Sequence, residues 1–227
     1  MLKIKNIEKS SLVDYPPYIC ATIFIEGCDF KCGWCYNPSL VNLNNPNLDS
    51  IPEYELLNWL KTRIGKLDSV CITGGNPIIH GHELTALIHP IKEMGYKVKL
   101  DTNGTNPKTL NFLIKNKMVD FIAMDIKGDL ENYGKFIGIQ DYNTSEVKES
   151  IEIIKSSGIE HEFRMTVVPT LHTPKNIETA VKYVGKENFT LQNFKPLNTL
   201  DPKYEKITPF SDSELKKIAD NLGIKSR

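Results

Sequence analysis

The chain has 227 residues, 40% hydrophobic and 25% charged, which bounds it to a globular protein read as one domain over 1–227 with enough length for a substantial core. Its 28 basic residues balance 28 acidic ones, so the formal charge is zero and the basic footprint of a nucleic-acid binder is missing. The opening MLKIKNIEKSSLVDYPP has no apolar signal core and no uninterrupted 18-residue apolar run follows, so the expectation is a cytoplasmic protein with no membrane partner.

In chain order, the pattern is strand then helix, repeated. Cys20 to Ile25 is a continuous apolar run suited to a buried parallel strand. An Asn/Pro-rich connection follows over Asn42 to Asn47, and Ser50-Ile51-Pro52-Glu53 reads as a capping box for a helix bearing Leu56, Leu57, Leu60 and Ile64. Ser69 to Thr73 is the second strand, ending at Gly74-Gly75. The next helix places Leu84, Leu87, Ile88 and Ile91 on one side, with Pro90 expected to bend or split it. Strand three spans Tyr96 to Thr102, and Asn106-Pro107 caps a short helix through Leu110, Leu113 and Ile114. Val119 to Ile126 is strand four, followed by a helix from Thr144 to Gly158. Glu162 to Val168 is strand five, followed by a helix from Thr173-Pro174 to Gly185. Asn188 to Phe194 is strand six, and a last helix runs from Ser211 to Gly223. Six strands alternating with helices imply a parallel sheet covered by helices. The chain is slightly short for a closed eight-unit barrel of about 250 residues, so an open, six-stranded partial barrel is expected. The charged segment 129–142, with Gly134 and Gly138, is the candidate mobile loop.

The chemistry concentrates in Cys28 to Asn37, within the loop 27–38, where Cys28, Cys32 and Cys35 form a C-x3-C-x2-C run. Thiolates this close suit a soft-metal centre, and three ligands leave one coordination position open for chemistry. A zinc site completed by His80 or His82 is the plainer alternative. Cys20 and Cys71 stand alone in apolar runs as small core residues, and the histidines read mostly as loop and surface residues.

The first four predicted strands each end in an unusual group, and barrels of this kind build their sites at those ends. After the cysteine loop come Gly74-Gly75-Asn76-Pro77, Asp101-Thr102-Asn103-Gly104 and Asp125-Ile126-Lys127. Gly74 and Gly75 allow close backbone approach to a ligand. Asp125 and Lys127 fall on the same side of their strand. A simple surface pair between Asp101 and Lys127 is the bland reading. Arg164 interrupts an apolar strand and needs a carboxylate or a ligand as partner, with Asp125 and Glu162 in reach.

The cysteine spacing, with Trp34 before the last cysteine, resembles the signature loop of the radical S-adenosylmethionine (SAM) superfamily. That resemblance implies a (β/α)6 TIM-like partial barrel whose three cysteines hold a [4Fe-4S] cluster, with SAM chelating the fourth iron. It further implies that Gly74 and Gly75 meet the SAM ammonium, with Asn76 standing where the family commonly has glutamate. Lys127 would neutralise the SAM carboxylate, Asp101, Thr102 and Asp125 would address the ribose or a monovalent cation, and Arg164 would lie near SAM. With Ser11-Leu12-Val13-Asp14-Tyr15-Pro16, Cys35-Tyr36-Asn37-Pro38, Met124 to Gly128 and Leu191-Gln192-x-Phe194 included, the chain is similar to the glycyl radical enzyme activases, of the kind that serves anaerobic ribonucleoside-triphosphate reductase. The resemblance implies reductive SAM cleavage, a glycyl radical made on a partner enzyme, and an electron donor of flavodoxin or ferredoxin type. With only Cys20 and Cys71 left over, auxiliary clusters are not expected. Two alternatives stand beside it: a small-molecule radical SAM enzyme such as a 7-carboxy-7-deazaguanine-type synthase, and a non-enzymatic iron-sulfur protein.

Overall fold

The computed structural model describes residues 2–43 and 49–227. Most of the predicted Asn/Pro connection therefore lies outside the described residues. The strands are β1 (Ile4–Ser11), β2 (Cys20–Ile25), β3 (Ser69–Gly74), β4 (Lys97–Thr102), β5 (Phe121–Asp125), β6 (Glu160–Val167), β7 (Phe189–Asn193) and β8 (Lys225–Ser226). They form one sheet in simple chain order, with β1 antiparallel to β2 and every later neighbour parallel. Strand order that never reverses means that every crossover advances the same way, so the helices collect on one face and the sheet curls around the other. The six predicted strands correspond to β2–β7, and the fold is the expected partial barrel.

The helices α1 (Glu53–Lys61), α2 (His82–Glu93), α3 (Pro107–Lys115), α4 (Tyr133–Ile137), α5 (Ser145–Ser157), α6 (Pro174–Val184) and α7 (Asp212–Leu222) cover the outer face. Their buried stripes, such as Leu84, Leu87, Ile88 and Ile91 on α2 or Ile177, Ala180, Val181 and Val184 on α6, pack with alternate strand residues such as Val98 and Leu100 into one core. The intervening residues face inward, and parallel pairing aligns them across strands: Cys71 with Lys99, and Asp125 with Arg164. The barrel interior is consequently polar and charged at positions where the strands read as apolar from outside.

Several boundaries differ from the sequence expectation for physical reasons. Ser50 does not cap α1. Ile51 is held extended by pairing with Ile4, its N–H donating to the Ile4 carbonyl at 2.7 Å, so the helix starts only after Pro52. Ile64 lies past the end of α1 and is exposed. Pro90 does not split α2. The helix runs through it, forfeiting the bond to the Ala86 carbonyl, and the Pro90 carbonyl accepts from Met94 N at 3.1 Å. Thr144 stands at the N-cap of α5 without a side-chain cap bond, whereas Thr173 and Ser211 each complete a capping box. β1 and β8 are not expected from the sequence, and α4 falls within segment 129–142, expected as a loop. Among the described residues, no helix is long and apolar enough to cross a membrane.

Candidate active site

The end of β2 leads into the cysteine loop through Gly27, at φ 102°, a backbone conformation that favours glycine. The loop is held from several sides. Gly27 N and Cys28 N donate to the Leu40 and Val41 carbonyls, and Cys35 N to the Cys32 carbonyl at 3.0 Å. Trp34 is buried, and its Nε1–H donates to the Phe136 carbonyl at 3.1 Å. Cys28, Cys32 and Cys35 are free thiols that line one cavity of about 1500 Å³, open at the C-terminal ends of the strands. Burial pushes the Cys28 thiol up to about 11 and the Cys32 thiol to about 12, so without metal both are neutral at physiological pH.

This donor set fits an iron-sulfur cluster better than a single metal ion. Among the described residues, no three His, Cys, Asp or Glu side chains converge on one ion, whereas a cluster takes its thiolates on separate irons and needs no such convergence. His80, the candidate fourth zinc ligand, sits with Nε2 2.7 Å from the Glu26 carbonyl.

β3 ends flush against this loop. A Cβ on Gly74 would lie 2.3 Å from the Ile25 carbonyl oxygen, and one on Gly75 only 2.1 Å from that of Gly27. Gly75 N and Asn76 N donate to those two carbonyls at 2.9 and 2.7 Å. Glycine is thus required here by backbone-to-backbone packing, while Gly74 and Gly75 still face the cavity.

Asn76 does not line the cavity. It is 1% exposed and ties the cysteine loop to the end of β4. Its two Nδ2 N–H groups are shared among three acceptors, Asp29 Oδ1 at 2.9 Å, Asn103 Oδ1 at 2.6 Å and Thr105 Oγ1 at 2.9 Å. Its Oδ1 accepts from Thr102 Oγ1 at 3.1 Å and Asn103 N at 3.2 Å. The Thr102 hydroxyl is therefore engaged with Asn76, although the residue borders the cavity.

Across the cavity floor the inward residues of β4–β6 and the residue pair after β5 form a row of alternating charge. Lys99 Nζ lies 3.0 Å from Asp101 Oδ1; Arg164 Nη1 lies 3.2 Å from Asp101 Oδ2; Arg164 Nε donates to Asp125 Oδ1 at 2.8 Å; Lys127 Nζ donates to Asp125 Oδ2 at 3.2 Å. Thr73 Oγ1 also donates to Asp101 Oδ2. The bland Asp101–Lys127 pair does not form, and Arg164 instead bridges both aspartates. Burial alone would raise both carboxyls, but the Arg164 guanidinium together with Lys99 or Lys127 outweighs it: Asp101 is lowered and Asp125 falls to about 2. The row holds three cations and two carboxylates, and Lys127 is the cation whose charge acts on the Cys28 and Cys32 thiols. Lys127 Nζ also lies over the Trp34 ring, 5.2 Å from its centroid.

Lys99, Asp29 and His172 carry no functional expectation from the sequence, and Asp14 carries one only as part of the Ser11–Pro16 motif. Lys99 is buried and donates to the Asp14 carbonyl at 2.6 Å, and Asp14 Oδ2 accepts from Thr22 at 2.7 Å, which anchors the Leu12–Pro16 segment to the barrel. Asp29 receives Asn76 and Asn103. His172, expected at the surface, is buried. Its Nδ1 accepts from Val168 N at 3.0 Å, its Nε2–H donates to the Lys127 carbonyl at 2.9 Å, and its ring stacks on Phe136 at 4.8 Å. Burial lowers its pKa and keeps it neutral. Segment 129–142 carries α4, whose Phe136 and Ile137 carbonyls hold Trp34 and Lys31.

A partial barrel with three cysteines at the end of its first parallel strand and an anion-accepting row across its floor defines a class of SAM-dependent enzymes. The family model of the radical SAM superfamily matches residues 22–184, and the chain belongs to that superfamily. Membership carries SAM cleavage and radical generation at an iron-sulfur cluster. Over 98% of this chain and 95% of its own length, a protein of Methanocaldococcus jannaschii provisionally assigned as a glycyl-radical enzyme activating enzyme is 28% identical. The pyruvate formate-lyase-activating enzyme of Clostridium pasteurianum is 27% identical over 91% of this chain and 87% of its own. Among solved structures, Streptococcus suis SuiB bound to S-adenosylmethionine superposes with a TM-score of 0.64 at 20% identity, covering 88% of this chain and 47% of SuiB. That likeness bears on the fold alone.

Proposed function

We propose that this protein is a glycyl radical enzyme activase, which cleaves SAM reductively and removes a hydrogen atom from a glycine Cα of a partner enzyme, of the kind represented by anaerobic ribonucleoside-triphosphate reductase. The observation that carries the reading is a single cavity that joins the cysteine loop, the Gly74-Gly75 turn and the charged row, and that opens beside Leu12, Val13, Tyr36 and Leu197, all exposed apolar side chains. An open barrel with an apolar rim suits a polypeptide segment entering from outside.

In this reading Cys28, Cys32 and Cys35 hold the cluster, which with SAM supplies the radical. The chain's own contribution is binding, orientation and exclusion of water. The carbonyls of Gly74 and Gly75 receive the SAM ammonium, while Lys127, whose charge is secured by Asp125, receives its carboxylate. Arg164 keeps Asp101 and Asp125 ionised and fixes their direction toward the ribose. A monovalent cation at the same two carboxylates is the alternative to the ribose. Trp34 closes the cavity wall behind Lys127.

The test is 5′-deoxyadenosine formation from SAM by anaerobically reconstituted, dithionite-reduced protein, compared with a Cys32→Ala variant. Product that depends on Cys32 supports the reading. A pterin-dependent product formed without any protein partner would favour the small-molecule synthase instead, and failure to bind SAM would favour a non-enzymatic iron-sulfur protein.

A further inference from the structure

The cysteine loop has a second face. Successive side chains alternate across its backbone: Cys32 and Trp34 line the main cavity, while Lys31 and Gly33 line a separate groove of about 280 Å³ on the outside of the molecule. No residue lines both, and residues of the two linings alternate along the loop from Lys31 to Trp34. The groove is completed by Lys135 and Phe136 of α4, by Gly138, and by Leu200, Asp201, Lys203 and Tyr204.

Its walls are bonded to the loop itself. Asp201 N donates to the Gly33 carbonyl at 2.8 Å, Leu200 N to the Cys35 carbonyl at 3.0 Å, and Lys31 N to the Ile137 carbonyl at 2.8 Å. A Cβ on Gly33 would lie 2.7 Å from the Tyr204 ring. The groove is therefore built onto the backbone that carries Cys32.

Its charge is one-sided. Lys203 pairs with Asp201 at 2.7 Å, while Lys31 and Lys135 are exposed and make no ion pair among the described residues. Two uncompensated lysines flank the loop on a chain whose formal charge is zero.

From these observations we infer that the outer groove at Lys31, Lys135 and Tyr204 is the docking site of an acidic one-electron carrier protein. The inference rests on the proposed reductive chemistry, which needs one electron per SAM cleaved. The cavity face of the loop is taken by SAM and the partner's polypeptide, so the electron enters from the other face, where the groove is lined by Lys31 and Gly33, the two chain neighbours of Cys32. One electron passes from the reduced carrier to the cluster, with the carrier oxidised by one and the cluster reduced by one, and no bond or proton moves. The lysine pair orients an acidic partner and speeds its approach, and such surface pairing weakens as salt rises.

The test uses oxidised flavodoxin as the probe in a direct binding titration with the whole protein, wild type against Lys31→Glu/Lys135→Glu. The expected result is a dissociation constant raised at least about tenfold in the double variant at about 0.1 M salt, a difference that narrows towards 1 M, where the Debye length falls from about 10 Å to about 3 Å. Flavodoxin-supported 5′-deoxyadenosine formation should fall in parallel, while dithionite-supported formation stays unchanged because a small reductant does not need the groove. Equal flavodoxin affinity in variant and wild type, or no flavodoxin binding by wild type, overturns the docking site. Absence of dithionite-supported cleavage in wild type overturns the proposed activity instead, and the binding titration still decides the groove.

Discussion

Asn76→Asp changes one atom type at the centre of the brace between the cysteine loop and β4. The acceptor half survives, since an oxygen still faces Thr102 Oγ1 and Asn103 N. The donor half inverts, so that an oxygen now faces Asp29 Oδ1, Asn103 Oδ1 and Thr105 Oγ1. Thr105 Oγ1 already donates to Asn103 Oδ1 at 2.9 Å and offers no replacement, so the two N–H donors of the amide are lost at about 1 kcal/mol each, and a carboxylate now faces the Asp29 carboxylate. Asp29 is exposed, so solvent screens that repulsion to about 1 kcal/mol more. The sum is about 3 kcal/mol at neutral pH, or a fall in Tm of about 6–12 °C for a chain of this size. The introduced carboxyl is buried and beside a like charge, so its folded pKa lies above its unfolded value of about 3.9. The penalty is therefore fully present above the folded pKa and shrinks, relative to wild type, as pH falls towards the unfolded value, where the protonated form restores one of the two donors. Asn76→Ala, which has no charge to neutralise, keeps its deficit at every pH. Denaturant unfolding of the two variants and wild type from pH 4 to pH 8 reads this directly. An Asn76→Asp variant within about 1 kcal/mol of wild type at neutral pH, or a penalty that grows with acid, would refute the assignment of Asn76 as a brace.

Asp125 is held near 2 and contributes stability that is present above its unfolded pKa of about 3.9 and lost as pH falls towards 2. At 30% side-chain exposure that amounts to about 2 kcal/mol, so Asp125→Asn should flatten the acid limb of a stability-pH curve between about pH 4 and pH 2, and an unchanged limb would count against the Arg164–Asp125–Lys127 linkage. Gly75→Ala places a Cβ against the Gly27 carbonyl and should displace the loop, cutting iron retained after reconstitution by more than half; full iron loading would show that the contact relaxes. His172→Ala removes the donor to the Lys127 carbonyl and the stack on Phe136, and is expected to cost about 2–4 kcal/mol in denaturant unfolding, with a loss under about 1 kcal/mol contradicting its role as a buried support.

The strands were legible because parallel strands buried on the outer face are short apolar runs bounded by turns, and β2 was read to its exact ends for that reason. β1 was not, since only its two end residues, Ile4 and Ser11, are buried, and Lys5, Glu8 and Lys9 give an edge strand no apolar period. α4 is five residues long with no cap signal, and its place is fixed by tertiary contacts to Trp34 and Lys31. The site was legible where a residue sits at a strand end next to glycine or cysteine. Arg164 announced itself as a charge in an apolar strand, and Lys99, two residues before Asp101 on the inward face of β4, carried the same signal. Asn76 carried the strand-end signal but not its role as a brace, and His172 carried none. Their roles come from which segments the barrel brings together, Asp29 to Asn103 in one case and Val168 to Lys127 in the other.

In the proposed function the radical formed here is delivered to a glycine of a partner protein. The most direct test of that delivery incubates the reconstituted, reduced protein and SAM with an anaerobic ribonucleotide reductase whose glycines carry deuterium at Cα, and measures deuterium in the 5′-deoxyadenosine released. The expected result is deuterium in the product together with a glycyl radical signal on the reductase, both absent with Cys32→Ala. SAM cleavage that proceeds with no deuterium transfer and no glycyl radical would contradict it.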